Sequence, residues 1–124
     1  MNIFKLQKCM SLNKYRNAHY FKINEEKAEY KVLVRFAMQE SKEKIRLLKT
    51  PIKTIFTFYS YRGRDIDGEI ISVKNFHDSL TELGMIPDDN QNYLQSFEVK
   101  GTKEKGNFYN VKIIENYENT ITNI

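Results

Sequence analysis

Asp65 and Asp67 stand one residue apart in the run Arg64-Asp65-Ile66-Asp67, and a second acidic pair, Asp88 and Asp89, follows downstream. In an extended chain residues i and i+2 point the same way, so Asp65 and Asp67 can converge on one point. A few carboxylates among cations are what a metal-dependent phosphodiesterase needs, because a bound divalent ion polarises the phosphate and acidifies a water. Each residue also has a plainer use. Asp67 can cap the helix that follows, and Pro87-Asp88-Asp89-Asn90 is good turn chemistry. Lys74 and Asp78 are four apart on a helix flank, a pair worth a few tenths of a kcal/mol on the order of magnitude. A bare D-x-D occurs in many loops by chance, and spacing alone does not decide whether Asp89 meets the first pair.

The residues that are missing narrow the chemistry. His19 and His77 lie far apart and Cys9 is the single cysteine, so a zinc site of the usual ligand number is not available. No glycine-rich phosphate loop is present, which argues against a nucleotide cofactor. A metal here would be held by carboxylates and water, pointing to magnesium with manganese as substitute. Cys9 reads as a small hydrophobe, and His77 as a packing or surface residue within a helix.

At 124 residues, with 40% hydrophobic and 13% aromatic, the chain is long enough for one core and reads as a single domain over 1–124, polar from about 116. Twenty basic residues against 16 acidic ones leave a net charge of +4, a mild excess compatible with a polyanion. The cations cluster at Lys42, Lys44, Arg46, Lys49 and Lys53, then Arg62 and Arg64, then Lys100, Lys103 and Lys105. The N-terminal run MNIFKLQKCMSL has no continuous apolar stretch, so no signal peptide is expected. Nothing approaches the roughly 20 apolar residues of a membrane span. With no intrachain disulfide possible, a reducing cytoplasm is the expected home.

Several elements must position these side chains. Ile3, Phe4 and Leu6 read as a short strand, and Ser11 to Asn24 as a surface loop. Asn24 followed by Glu25 and Glu26 reads as a helix start. Ala28, Tyr30, Leu33, Val34, Ala37 and Met38 then recur at helical spacing to about Glu40, with Lys42 to Lys49 as the fraying end. Pro51 stops any helix, and residues 52–61 form the best strand in the chain. A second helix is expected from about Glu69 to Leu83, closed by Gly84. The runs YLQSFEVK and NFYNVKIIE, joined through GTKEKG, read as an antiparallel hairpin. The expected fold is α+β: a mixed sheet of about four strands packed with two helices.

The stretch RDIDGEIISVKNFHDSLTELGMIPDDNQ resembles the core motif of the RusA family of Holliday junction resolvases. That motif is Arg-Asp-x-Asp-Asn, a helix with a Lys and then Asp-x-Leu, a Gly, and a closing Asp-Asp. Arg64, Asp65, Asp67, Lys74, Asp78, Leu80, Gly84, Asp88 and Asp89 supply it in order. Ser11, Asn13 and Tyr15 look like the family's N-terminal segment and the expected closing hairpin also fits, so the resemblance covers nearly the whole chain. One position departs: the family's Asn after the second Asp is Gly68.

The resemblance implies a homodimeric, magnesium-dependent endonuclease, of bacterial or phage origin, that resolves four-way junctions in recombination and repair by paired symmetric nicks. It implies Asp65, Asp67 and Asp89 as metal-holding catalytic carboxylates, Asp88 as their neighbour, and Lys74 near the scissile phosphate. Contacts to the DNA backbone are expected from Asn13, Lys14, Arg16, Arg62, Arg64, Lys103 and Lys105. Two rival readings stand beside it: an inactive branched-DNA-binding module of the same fold, and a small interaction protein with no DNA role.

Overall fold

Strand β2 (Ile52–Tyr59) occupies an interior place in a four-stranded mixed sheet because it is apolar on alternate residues and pairs along both edges. The computed structural model describes residues 1–7, 20–60 and 66–117, without the side chains of 20, 21, 23 and 67. Around β2 the order of elements is β1 (Asn2–Gln7), α1 (Tyr20–Glu40), β2, a 3-10 turn (Ile66–Glu69), α2 (Ile70–Glu82), β3 (Leu94–Thr102) and β4 (Phe108–Ile114). The strand order across the sheet is β1-β4-β2-β3. The α+β class, four strands and two helices expected from the sequence are all present.

The expected hairpin is not. β3 pairs in parallel with β2, and β4 pairs antiparallel with β2 on its other edge. The link between β3 and β4 therefore crosses the end of β2 instead of making a tight turn. The parallel β2–β3 pair needs a long crossover, which α2 provides. Adjacency in sequence yielded to the demand of β2 for partners on both sides.

Both helices cover one face of the sheet. Ile52, Phe56 and Phe58 of β2, Tyr109, Val111 and Ile113 of β4, and Ile3 and Leu6 of β1 meet Tyr30, Val34 and Met38 of α1 and Val73, Phe76 and Leu80 of α2. Each of these large apolar side chains is worth about 1.5–3 kcal/mol on burial. α1 begins at Tyr20, earlier than the Asn24 cap expected, since nothing in residues 20–24 breaks a helix and a single Asn costs little inside one. Ala28 is exposed, off the buried stripe.

Both helices end alike. Gly84 takes a left-handed φ of 73°, while Gly84 N–H bonds Thr81 O and Met85 N–H bonds Leu80 O. Lys42 does the same after α1 with φ 59°, Lys42 N–H bonding Gln39 O and Glu43 N–H bonding Met38 O. Residues 43–49 are therefore no frayed helix. They cross to β2, tied by Leu48 N–H to Met85 O at 2.8 Å and by Arg46, which pairs with Glu115 through two bonds of 2.7 and 2.6 Å. The start of the polar tail is held too, with Asn116 N–H on Lys49 O and Tyr117 N–H on Pro51 O.

The outer edge of β1 is closed to strand addition by side chains. Asn2 N–H bonds Glu43 Oε2 at 2.6 Å and Phe4 N–H bonds Ser41 Oγ at 2.9 Å, so two edge amides are occupied.

Candidate functional site at one end of the sheet

The turn bearing Asp67 is bolted to the sheet by its neighbours in sequence. Ile66 packs so tightly over Gly101 that a Cβ there would lie 2.6 Å from Ile66 Cδ1. Glu69 is buried, and its Oε2 accepts the Tyr109 hydroxyl at 2.5 Å, with the Ser72 side chain also bonding that phenol. Gly101 and Tyr109 flank Phe58 from its two sides. The turn therefore sits at the C-terminal end of β2. β3 runs out at this same end, through Gly101 and Thr102, into exposed Lys103 and Lys105. The N-cap position of α2 is Glu69, and among the described side chains none makes a capping hydrogen bond there. Gly68 is half-buried with nothing within 4 Å of a Cβ built there, so crowding does not impose glycine at the position of the family's Asn.

The other motif residues follow α2 away from this end. Val73, Asn75, Phe76, His77, Ser79 and Leu80 are buried, while Ile70, Lys74 and Glu82 are exposed and Asp78 is half-exposed. Lys74 Nζ lies 3.6 Å from Asp78 Oδ2. Asp89 lies near Asp78; its carboxyl is pushed up first by desolvation, then by sharing a hydrogen bond with Asp88 and by the charge of Asp78. Asp88 is held down, chiefly because it accepts the Asp89 backbone N–H at 2.8 Å and then the Asn90 side-chain amide at 3.1 Å.

That acidic turn is at the opposite end of the sheet. Tyr93 and Leu94 donate their N–H groups to Asn90 O, and Leu94 pairs with Ile52 at the start of β2. From Ile52 to Phe58 is about 20 Å at strand rise, and α2 spans a similar length. Within one chain the parallel β2–α2–β3 crossover returns to the start of β2 before β3 begins, so the Asp88–Asp89 turn and the Asp67 turn lie towards opposite ends of β2.

His77 is a core residue. Its Nε2 is 2.8 Å from Thr54 Oγ1, and its ring packs on Phe56 and Phe97 at 5.6 Å. Burial lowers its pKa to about 4. Asn13, Lys14, Arg16, Arg62, Arg64 and Asp65, like Cys9 and His19, lie outside the described residues. Among the described residues no group of three His, Cys, Asp or Glu side chains is placed to hold a metal ion.

Sequence reasoning missed two features. One is the buried Glu69–Tyr109 pair. Its available signal was a hydroxyl-bearing ring on the core-facing side of β4, which needs a polar partner when buried. The other is Tyr59 and Phe108, stacked at 4.8 Å with planes 20° apart on the far face of the sheet. A comparison with protein-family models returns no match, and a comparison with curated protein sequences returns none.

Proposed function

We propose that the chain is a magnesium-dependent endonuclease that cuts branched DNA, four-way junctions among its substrates, acting as a homodimer. The observation that carries this reading is the shared location of the Asp67 turn and of Lys103 and Lys105, at the end of the sheet where β2 and β3 run out. An Asp-bearing turn and cations at one end of the sheet suit a phosphodiester backbone, which the lysines would bind without reading bases.

Asp65 and Asp67 would hold the metal. Magnesium commonly takes one or two carboxylates together with waters and substrate phosphate oxygens, so a larger protein cage is not required. When bound it polarises the phosphate and activates a water for in-line attack. Lys74 is the cation of α2 nearest that turn. To reach a phosphate it must leave Asp78, an exposed pair worth less than about 1 kcal/mol. Two opposed cuts in a four-way junction call for two matched sites, which a two-fold dimer supplies.

A second reading, a branched-DNA-binding module without cleavage, is favoured by the separation of Asp89 from Asp67. A labelled synthetic four-way junction incubated with and without magnesium distinguishes the two. Paired nicks that need magnesium and vanish in Asp65→Asn and Asp67→Asn support the nuclease. Tight binding without cleavage under every metal condition supports the module. Absence of junction binding at moderate salt would overturn both.

A further inference from the structure

The face of the sheet turned away from the helices carries a built surface of its own. Side chains alternate along a strand, so the residues between the core positions of β2 and β4 lie together there. Tyr59 pairs with Phe108, Thr57 with Asn110 and Ile55 with Lys112. On the other side Tyr59 pairs with Thr102 and Thr57 with Lys100. The Tyr59 and Phe108 rings are half-buried and stacked, and Asn110 Nδ2 donates to the Tyr59 hydroxyl at 3.2 Å, fixing that ring. Gly106 closes against the Phe108 ring and the base of the Tyr59 side chain: a Cβ there would lie 2.6 Å from Phe108 Cε1 and 2.9 Å from Tyr59 Cβ, and its φ of 154° disfavours any side chain. Among the described residues both helices pack on the opposite face.

We infer that this face takes unpaired nucleotides, a base continuing the Tyr59–Phe108 stack while its phosphates meet lysines. Charge selects that occupant. Lys100 and Lys112 are exposed on the face, and Lys103 and Lys105 stand on the adjoining link. The acid of the face, Glu98, is engaged by Lys53 at 2.8 Å and lies 3.9 Å from Lys100, an exposed and loosely held pair. A second copy seated through the same face would bring one lysine-rich surface against another, and like charges oppose such a contact. A polyanion with flat, apolar rings satisfies both the cations and the stack, and aromatic side chains on an open sheet are a general means of holding single strands. The inference rests on the proposed function only in taking DNA as the polymer. It adds a reason for preferring branched substrates, since base pairs flanking a branch point open more readily than those within an intact duplex.

The test uses the full chain, a twelve-nucleotide thymidine strand carrying one 2-aminopurine, and the same strand annealed to its complement. The expected result is binding of the single strand with quenching of the 2-aminopurine, and weaker binding of the duplex. Phe108→Leu and Tyr59→Leu should weaken single-strand binding at least tenfold and abolish the quenching. Lys100→Gln with Lys112→Gln, changes confined to exposed side chains, should weaken binding and flatten its salt dependence while the quenching of bound strand persists. Quenching and affinity unchanged in the folded leucine variants would overturn the inference. So would failure of the parent chain to bind the single strand, or a dimer in solution that the lysine substitutions tighten. Single-strand binding without junction cleavage would leave this inference standing and remove the nuclease reading; cleavage without single-strand binding would do the reverse.

Discussion

The Tyr109 hydroxyl reaches the Glu69 carboxylate inside the core, joining the start of β4 to the turn that carries Asp67 across 40 positions of sequence. Both residues are buried, and burial is the main reason the Tyr109 phenol is pushed well above its ordinary pKa, with Glu69 adding to it. Tyr109→Phe leaves a buried acceptor without this donor and should cost about 1–3 kcal/mol. Glu69→Gln keeps an acceptor for the hydroxyl and should cost less. Urea unfolding of the two variants checks the order; equal stability of Tyr109→Phe and the parent would contradict it.

His77 makes stability pH-dependent. Its folded pKa is about 4 against an ordinary 6.5, because burial penalises the charged ring. Between these values the unfolded chain binds the proton and the folded chain does not, so stability falls as pH drops from about 6.5 towards 4. The full effect is about 3 kcal/mol. His77→Gln, which still offers a partner to Thr54, should remove most of the slope in this window. Chemical denaturation at pH 7, 5.5 and 4.5 measures it.

Glu115 acts in a lower window. The Arg46 guanidinium, through hydrogen bonding, is the main cause that holds its carboxyl at about 2, and the Lys49 N–H at 2.8 Å adds to it. A depressed folded pKa gives stability that is present above the ordinary carboxylate range and lost as pH falls towards 2. Glu115→Gln at pH 7 should cost about 1 kcal/mol, the upper end for a partly exposed bidentate pair. It should also loosen residues 46–49, seen as faster amide exchange at Leu48 and Lys49. No change in exchange there would show that the pair does not anchor the crossing.

Asp67 and Asp89 should behave differently when replaced. Asp67→Asn should lower junction cleavage by orders of magnitude, since metal activation is worth several kcal/mol, while metal-free junction affinity stays equal or rises. Asp89→Asn should stay within a few-fold of the parent, because its turn lies at the far end of β2. Loss of cleavage in Asp89→Asn with binding retained would mean that a second chain brings Asp89 to the site.

What the sequence determined by itself was local. The helical spacing of Tyr30, Val34, Ala37 and Met38, the β-branched and aromatic richness of residues 52–61, and Gly84 as a helix stop depend on neighbours a few positions away. Those readings match the elements, as does the α+β class that follows from them. The D-x-D pattern and the closing Asp-Asp were legible as residue types, but not whether they meet. That was decided by strand order: β3 joins β2 in parallel, so α2 carries the chain along the full length of the sheet and parts Asp67 from Asp89. The burial of Glu69 against Tyr109 and the stacking of Tyr59 on Phe108 likewise arise from pairings 40 or more positions apart. Such contacts depend on which edges the strands share, and local propensity carries no information about that choice.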